Sequence, residues 1–159
     1  MRNLDHMNDD IFLFGALFMV ANKIDTLLER ELNRYGVTSR QWFLSICTAS
    51  LFEKPPTLKE LANVSGTSHQ NVKQVALKLQ EKGLMSLTKD KHDARVTRVQ
   101  LTPESVDFWA KTEGDSQRFL GDLYRGITEE EFASARTVIE KLMNNLQHMD
   151  CLLYTSRRG

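Results

Sequence analysis

Apolar residues recur through most of this chain at the three-and-four spacing of helices, and two short stretches alternate as strands do. A first long helix is predicted from about Asp10 to Tyr35, ended by Gly36, and a second from Thr38 through Ser50. Lys54-Pro55-Pro56 breaks the pattern. A short helix from Leu58, a turn at Ser65-Gly66 and a further helix from about Ser68 to Glu81, ended by Gly83, come next. Leu84 to Thr88 and Val96 to Leu101 are predicted to be antiparallel strands joined by the polar loop Lys89 to Arg95. Pro103 opens a helix to about Tyr124, with Val106, Trp109, Phe119, Leu120 and Leu123 as its apolar positions. Thr128 opens the last, with Phe132, Ala135, Val138, Leu142, Leu146 and Met149 at helical spacing. There is no internal repeat.

Capping chemistry supports these starts. Thr38 with Gln41, Thr57 with Glu60, Thr67 with Gln70 and Thr128 with Glu131 have the spacing of capping boxes, and Thr102-Pro103 reads as an N-cap followed by proline at the first helical position. Within residues 57–83, Ala62 is small enough for two helices to cross closely, Gly66 permits the turn, and Val72, Val75 and Leu79 form the apolar stripe of the second helix. That is the layout of a helix-turn-helix followed by a hairpin wing. The expected fold is mainly α with a small β-hairpin: one domain over residues 1–149, a winged helix-turn-helix head at 38–102, and long helices at 10–35 and 103–149 whose stripes exceed what the head can bury. Those helices are expected to pair two copies of the chain.

Composition fits a globular chain, with 159 residues, 41% hydrophobic and 26% charged. The formal net charge is zero but unevenly spread. Residues 57–102 hold eight Lys and Arg against four Asp and Glu, a net +4, which leaves −4 for the rest. A basic head on an acidic body suits a protein that meets phosphate with one face. The start lacks a secretory pattern, and the run Ile11 to Ala21 is expected to be too short to span a bilayer, leaving a helix buried by a partner subunit or a membrane-surface segment. A cytoplasmic location follows. The two cysteines, Cys47 and Cys151, do not amount to a disulfide framework. Cys47 lies in an apolar stretch and reads as a buried thiol, with a redox sensor as the other reading. The segment from 150 to 159 drops the pattern and is expected to be a disordered or added tail.

The candidate chemistry is nucleic-acid recognition. The early exposed face of the second helix of the head offers Ser68, His69, Gln70, Asn71, Lys73 and Gln74, which are base-reading and phosphate-contacting types. The hairpin adds Lys89, Lys91, Asp93, Arg95 and Arg98. No catalytic motif, phosphate loop or metal-ligand spacing is present in the sequence, so no enzyme, cofactor or metal is expected. A winged helix serving only as a protein-interaction module remains the alternative.

On Gly36-Val37-Thr38-Ser39-Arg40-Gln41-Trp42, the helix-turn-helix Leu58 to Gly83, and Asp90 to Arg95 leading into Val99-Gln100-Leu101-Thr102, the chain resembles the MarR family of transcription regulators. It departs from the family pattern at His92 and Ala94, where members often carry arginines, and at Ser105, where they carry glycine. The resemblance implies a homodimer on palindromic double-stranded DNA, usually a repressor, in which Arg95 enters the minor groove while Asp93 holds it. It also implies a small phenolic or otherwise aromatic effector in a cleft between the dimerising helices and the head. Phe12, Phe14, Phe18, Trp42, Phe43 and Trp109 could line that cleft or could be ordinary core and dimer packing.

Overall fold

The computed structural model describes residues 7–156, the side chains of 151–156 excepted. Seven helices and one hairpin follow in the order α1 (Asp9–Asn33), α2 (Ser39–Ser50), α3 (Leu58–Ser65), α4 (His69–Glu81), β1 (Met85–Lys89), β2 (Thr97–Leu101), α5 (Pro103–Ala110), α6 (Glu113–Leu123) and α7 (Glu129–Ser156). The packing divides the chain into two compact units, one up to Asp115 and one from Ser116.

The core of the first unit is built where apolar faces of α2, α3, α4 and the hairpin converge. Leu44, Leu58, Leu61, Val72, Ala76, Leu79, Met85 and Val99 are all buried there, Leu61, Ala76, Leu79 and Val99 completely. Ala76 lies wholly inside, where its small side chain lets α4 approach its neighbours closely. Gly66 takes φ +64 to end α3, a left-handed conformation that a residue with a Cβ adopts only under strain. β1 and β2 pair antiparallel, with Met85 opposite Leu101 and Lys89 opposite Thr97. The far edge of β2 meets the loop before α3, where Val99 donates its N–H to the Pro56 carbonyl at 2.8 Å and Arg98 bridges to Thr57. β2 is thereby held from both sides.

Capping boxes are present at Thr38 with Gln41 and at Thr57 with Glu60, and reciprocal bonds join Thr128 and Glu131. Thr102 caps α5 through the Ser105 N–H. The cap of α4 differs from the expectation. Ser68, not Thr67, accepts from the N–H three residues on, at Asn71, while the Thr67 hydroxyl accepts from the Asn71 side chain.

Three other expectations are corrected. The helix predicted from Pro103 to Tyr124 is two helices, because Thr112 is buried and both its N–H, at 3.0 Å, and its hydroxyl, at 2.8 Å, turn back to the Trp109 carbonyl, closing α5 with a tight three-residue turn. α7 continues to Ser156, so the expected disordered tail is helical to that point. Propagation of a formed helix adds one hydrogen bond per residue and does not require an apolar stripe; residues 157–159 lie outside the described residues. α1 is long and apolar enough, by length and composition, to cross a membrane, because Ile24, Leu27 and Leu28 extend the apolar run past Ala21.

Among the described residues, apolar side chains along α1 and α7 are exposed. Phe14 is 68% exposed, and Phe18, Met19, Met143 and Leu146 are each at least 60% exposed. The core of the head carries its stability. Leu61→Ala removes a fully buried side chain at the centre of that core, and urea unfolding is expected to show a loss of about 2–5 kcal/mol with the helical far-ultraviolet spectrum retained in the absence of urea.

Candidate nucleic-acid interface

Burial of one face of α4 decides which residues the other face offers. Val72, Ala76 and Leu79 are in the core, so His69, Gln70 and Lys73 are exposed, and Leu77 continues the same face one turn further on. Ser68 is also exposed, with its hydroxyl used as the cap. Asn71 lies toward a different flank, while Gln74, one turn on from Gln70, is exposed. Asn71 is half-buried, donates to the Thr67 hydroxyl at 2.8 Å, and with Arg40 and Val75 lines two cavities between α4 and α2. Gln74 lines the second of these, across from Asp25 and Glu29 of α1. The sequence pattern placed all six side chains at the early part of one helix. The structure brings Ser68, His69, Gln70, Lys73 and Gln74 to the outer face and sets Asn71 beside α2.

The wing presents its cations unequally. Lys89 and Lys91 are exposed, and so is Arg95, with its side chain 91% exposed. Asp93 grips it: one carboxylate oxygen accepts from the Arg95 backbone N–H at 2.9 Å and from Nε at 3.2 Å, and the other accepts from Nη2 at 3.4 Å. An exposed arginine has several rotatable bonds, and this chelate reduces that freedom while leaving the guanidinium edge outward. Arg98, by contrast, is turned inward. Its Nε donates to the Asp90 carboxylate, and its Nη1 donates to the Pro55 carbonyl at 2.7 Å.

Asp90 was not among the residues that sequence reasoning singled out. The Arg98 guanidinium, followed by the His92 and Asp93 amides, holds its carboxyl well below the ordinary value, at about 2. The folded value lies below the usual one of about 3.9. Whatever stability this carboxylate contributes is therefore whole above that pH and is lost as pH falls toward 2. Glu60 is lowered as well, chiefly by the Thr57 N–H and hydroxyl that it caps, with Arg98 adding a smaller electrostatic pull. The polar loop Lys89 to Arg95 contained the signal for Asp90, since aspartate favours turns by accepting from amides two and three residues on. The Pro55 carbonyl carries no such signal.

The first cavity, of about 260 Å³, is lined by Arg40, Phe43, Leu44, Ser65, Thr67, Asn71, Val72 and Val75. The second, of about 290 Å³, is more polar. Of the six aromatic residues suggested for an effector cleft, Phe43 is on this lining. Phe12, Phe14 and Phe18 are exposed on α1, and Trp42 and Trp109 pack partly buried against the core. The Cys47 thiol is buried, and burial raises its pKa. Among the described residues no group of three or more His, Cys, Asp or Glu could hold a metal ion.

No protein-family model matches the sequence. An uncharacterized HTH-type transcriptional regulator of Bacillus subtilis (strain 168) is 28% identical over 148 residues, covering 92% of this chain and 94% of that protein. Among solved structures, a MarR/EmrR family transcriptional regulator from Acinetobacter sp. ADP1 has a TM-score of 0.76 at 17% identity, covering 89% of this chain and 99% of the other. The MepR–DNA complex of S. aureus gives 0.71 at 16%, over 88% and 99%. An organohalide-sensing transcriptional regulator with 2,4-dichlorophenol bound gives 0.72 at 19%, over 91% and 85%. This chain therefore has the winged helix-turn-helix fold of the MarR-family transcription regulators, with long apolar-striped helices before and after the winged head in sequence.

Proposed function

We propose that this protein is a sequence-specific regulator of transcription that binds palindromic double-stranded DNA as a homodimer, acts as a repressor by occupying promoters, and is released by a small aromatic effector. The observation that carries the reading is Arg95, held almost fully exposed at the wing by the Asp93 carboxylate, on the same head as an α4 whose outer face is polar and basic. Arg95 suits a minor groove, where an arginine meets concentrated negative potential. His69, Gln70 and Lys73 suit base edges and phosphates of a major groove. Cytoplasmic DNA is the partner this assigns. No separate cofactor or catalytic step is part of the reading.

The homodimer is supported by the exposed apolar side chains of α1 and α7, which a second copy would remove from water. Exposed Phe, Leu and Met on α1 also fit a bilayer by composition, and that is the competing outcome. The effector is supported by the cavities behind α4 and by the dichlorophenol in one structural relative. A molecule entering there would press on the helix that reads DNA, shifting the balance between binding and non-binding arrangements.

Sedimentation at micromolar concentration is expected to give a dimer without detergent, and a stable monomer would defeat the pairing of copies. Selection from a random duplex library is expected to return a palindrome with half-sites about one helical turn, roughly 34 Å, apart. On that site Arg95→Ala is expected to lose about 5- to 100-fold in affinity, whereas Lys89→Ala and Lys91→Ala weaken binding mildly on every sequence and each lower the salt slope by about one. Wild-type affinity and salt slope in Arg95→Ala would overturn the minor-groove role. Failure of the folded wild type to bind any duplex at low salt would favour a protein partner for the head.

A further inference from the structure

A wing that meets DNA gains from cations, yet its turn carries two carboxylates, Asp90 and Asp93. Asp93 is occupied with Arg95. Asp90 stands at the start of the turn and organises it. One of its carboxylate oxygens accepts from the backbone N–H groups of His92 at 2.8 Å and Asp93 at 3.2 Å, while its own N–H donates to the Val96 carbonyl at 3.0 Å. The other oxygen accepts from Nε of Arg98. Arg98 then reaches the Pro55 carbonyl at 2.7 Å, in the loop that leads into α3. A chain of bonds thus runs from that loop through Arg98 and Asp90 to the amides of the residues that carry Arg95. The Asp90 side chain is only 12% exposed and that of Arg98 39%, whereas that of Arg95 is 91% exposed.

We propose that Asp90 and Arg98 are positioning residues for DNA binding: they pin the wing turn to the loop before α3 and so hold Arg95 at a fixed place relative to the reading helix. The inference rests on the DNA-binding reading and departs from it in one respect, since it takes Arg98 out of the set of DNA contacts and gives a carboxylate a favourable part in binding a polyanion. The guanidinium fork is what the geometry requires. Nε and Nη1 point to two acceptors on different segments, and a lysine ammonium on a single flexible stem cannot match both directions.

Three signs separate this from a phosphate contact by Arg98. By charge alone, Asp90→Asn removes an anion from the interface and should tighten binding, but loss of the pin should weaken it. Arg98→Lys keeps the charge that a phosphate would need and loses the fork. A residue acting through Arg95 should also add nothing once Arg95 is gone, so losses in a double-mutant cycle should not sum.

The experiment measures affinity of the full chain for the duplex selected by the wild type, with thermal melting as a folding control. Asp90→Asn, Arg98→Gln and Arg98→Lys are each expected to weaken binding about tenfold, and Asp90→Asn and Arg98→Gln combined with Arg95→Ala to bind no more weakly than Arg95→Ala alone. Asp90→Asn binding as tightly as wild type or more tightly, full retention by Arg98→Lys, or additive losses would overturn the proposal. Hydrogen exchange reads the pin without DNA. The His92 and Asp93 amides are expected to exchange faster in Arg98→Gln and Asp90→Asn than in wild type, and unchanged exchange overturns the pin even if no duplex binds. Wild-type failure to bind with the exchange effect present would instead sink the DNA reading. Asp90→Asn keeps an oxygen acceptor for both amides and carries the test if Arg98→Gln does not fold.

Discussion

The structure of the head depends on one constraint, the complete burial of a single face of α4. Val72, Ala76 and Leu79 pack against Leu61 of α3 and Met85 of β1 with almost no surface left to water, and side chains the size of Val72 and Leu79 contribute about 1.5–3 kcal/mol each when buried. Rotation of α4 about its axis would bring them out, so the helix has one available azimuth. Its outward residues are fixed as a consequence of what is inward. The surface that α4 presents is thus determined from the core, and residues buried away from it decide which side chains face out.

Acidic groups in this basic region organise it. Glu60 accepts from the Thr57 amide and hydroxyl at the start of α3, Asp93 orients Arg95, and Asp90 joins the wing turn to Arg98. Each carboxylate meets donors close at hand, so its field is spent locally and the exposed lysines set the longer-range potential. The net charge of the segment understates how cleanly the two roles are divided.

How much of this was legible in the sequence follows from the range of the interactions. The capping boxes at Thr38 and Thr57, the glycine turn at Gly66 and the apolar stripe of α4 are local, and they could be read directly. The break at Thr112 was not, because it depends on a buried hydroxyl bonding back to Trp109 within a stretch whose apolar spacing looks continuous. The shift of the α4 cap from Thr67 to Ser68 turned on which of two adjacent hydroxyls met the Asn71 amide. Arg98 is a surface cation by composition, and only its proximity to Pro55, 43 positions earlier, shows that it faces inward. Asn71 has base-reading chemistry and still lies beside α2, since periodicity gives a face but does not say what stands against it.

The end of α1 is tied to the head at several points. Lys82, just past α4, donates to the Gly36 carbonyl at 2.6 Å, and Asp25 and Glu29 each accept from Ser39 at the start of α2, also at 2.6 Å. These bonds act as a bracket at one end of a rod. The bracket reaches along α1 as far as Asp25, and the 16 residues from there to Asp9, at about 1.5 Å each, extend roughly 24 Å, so a swing of about 5° would displace the far end by about 2 Å. Seen from the other direction, a small displacement of the bracket would become a larger movement at the tip of the rod. The ratio of such a lever would be set by the length of α1 that lies beyond Asp25.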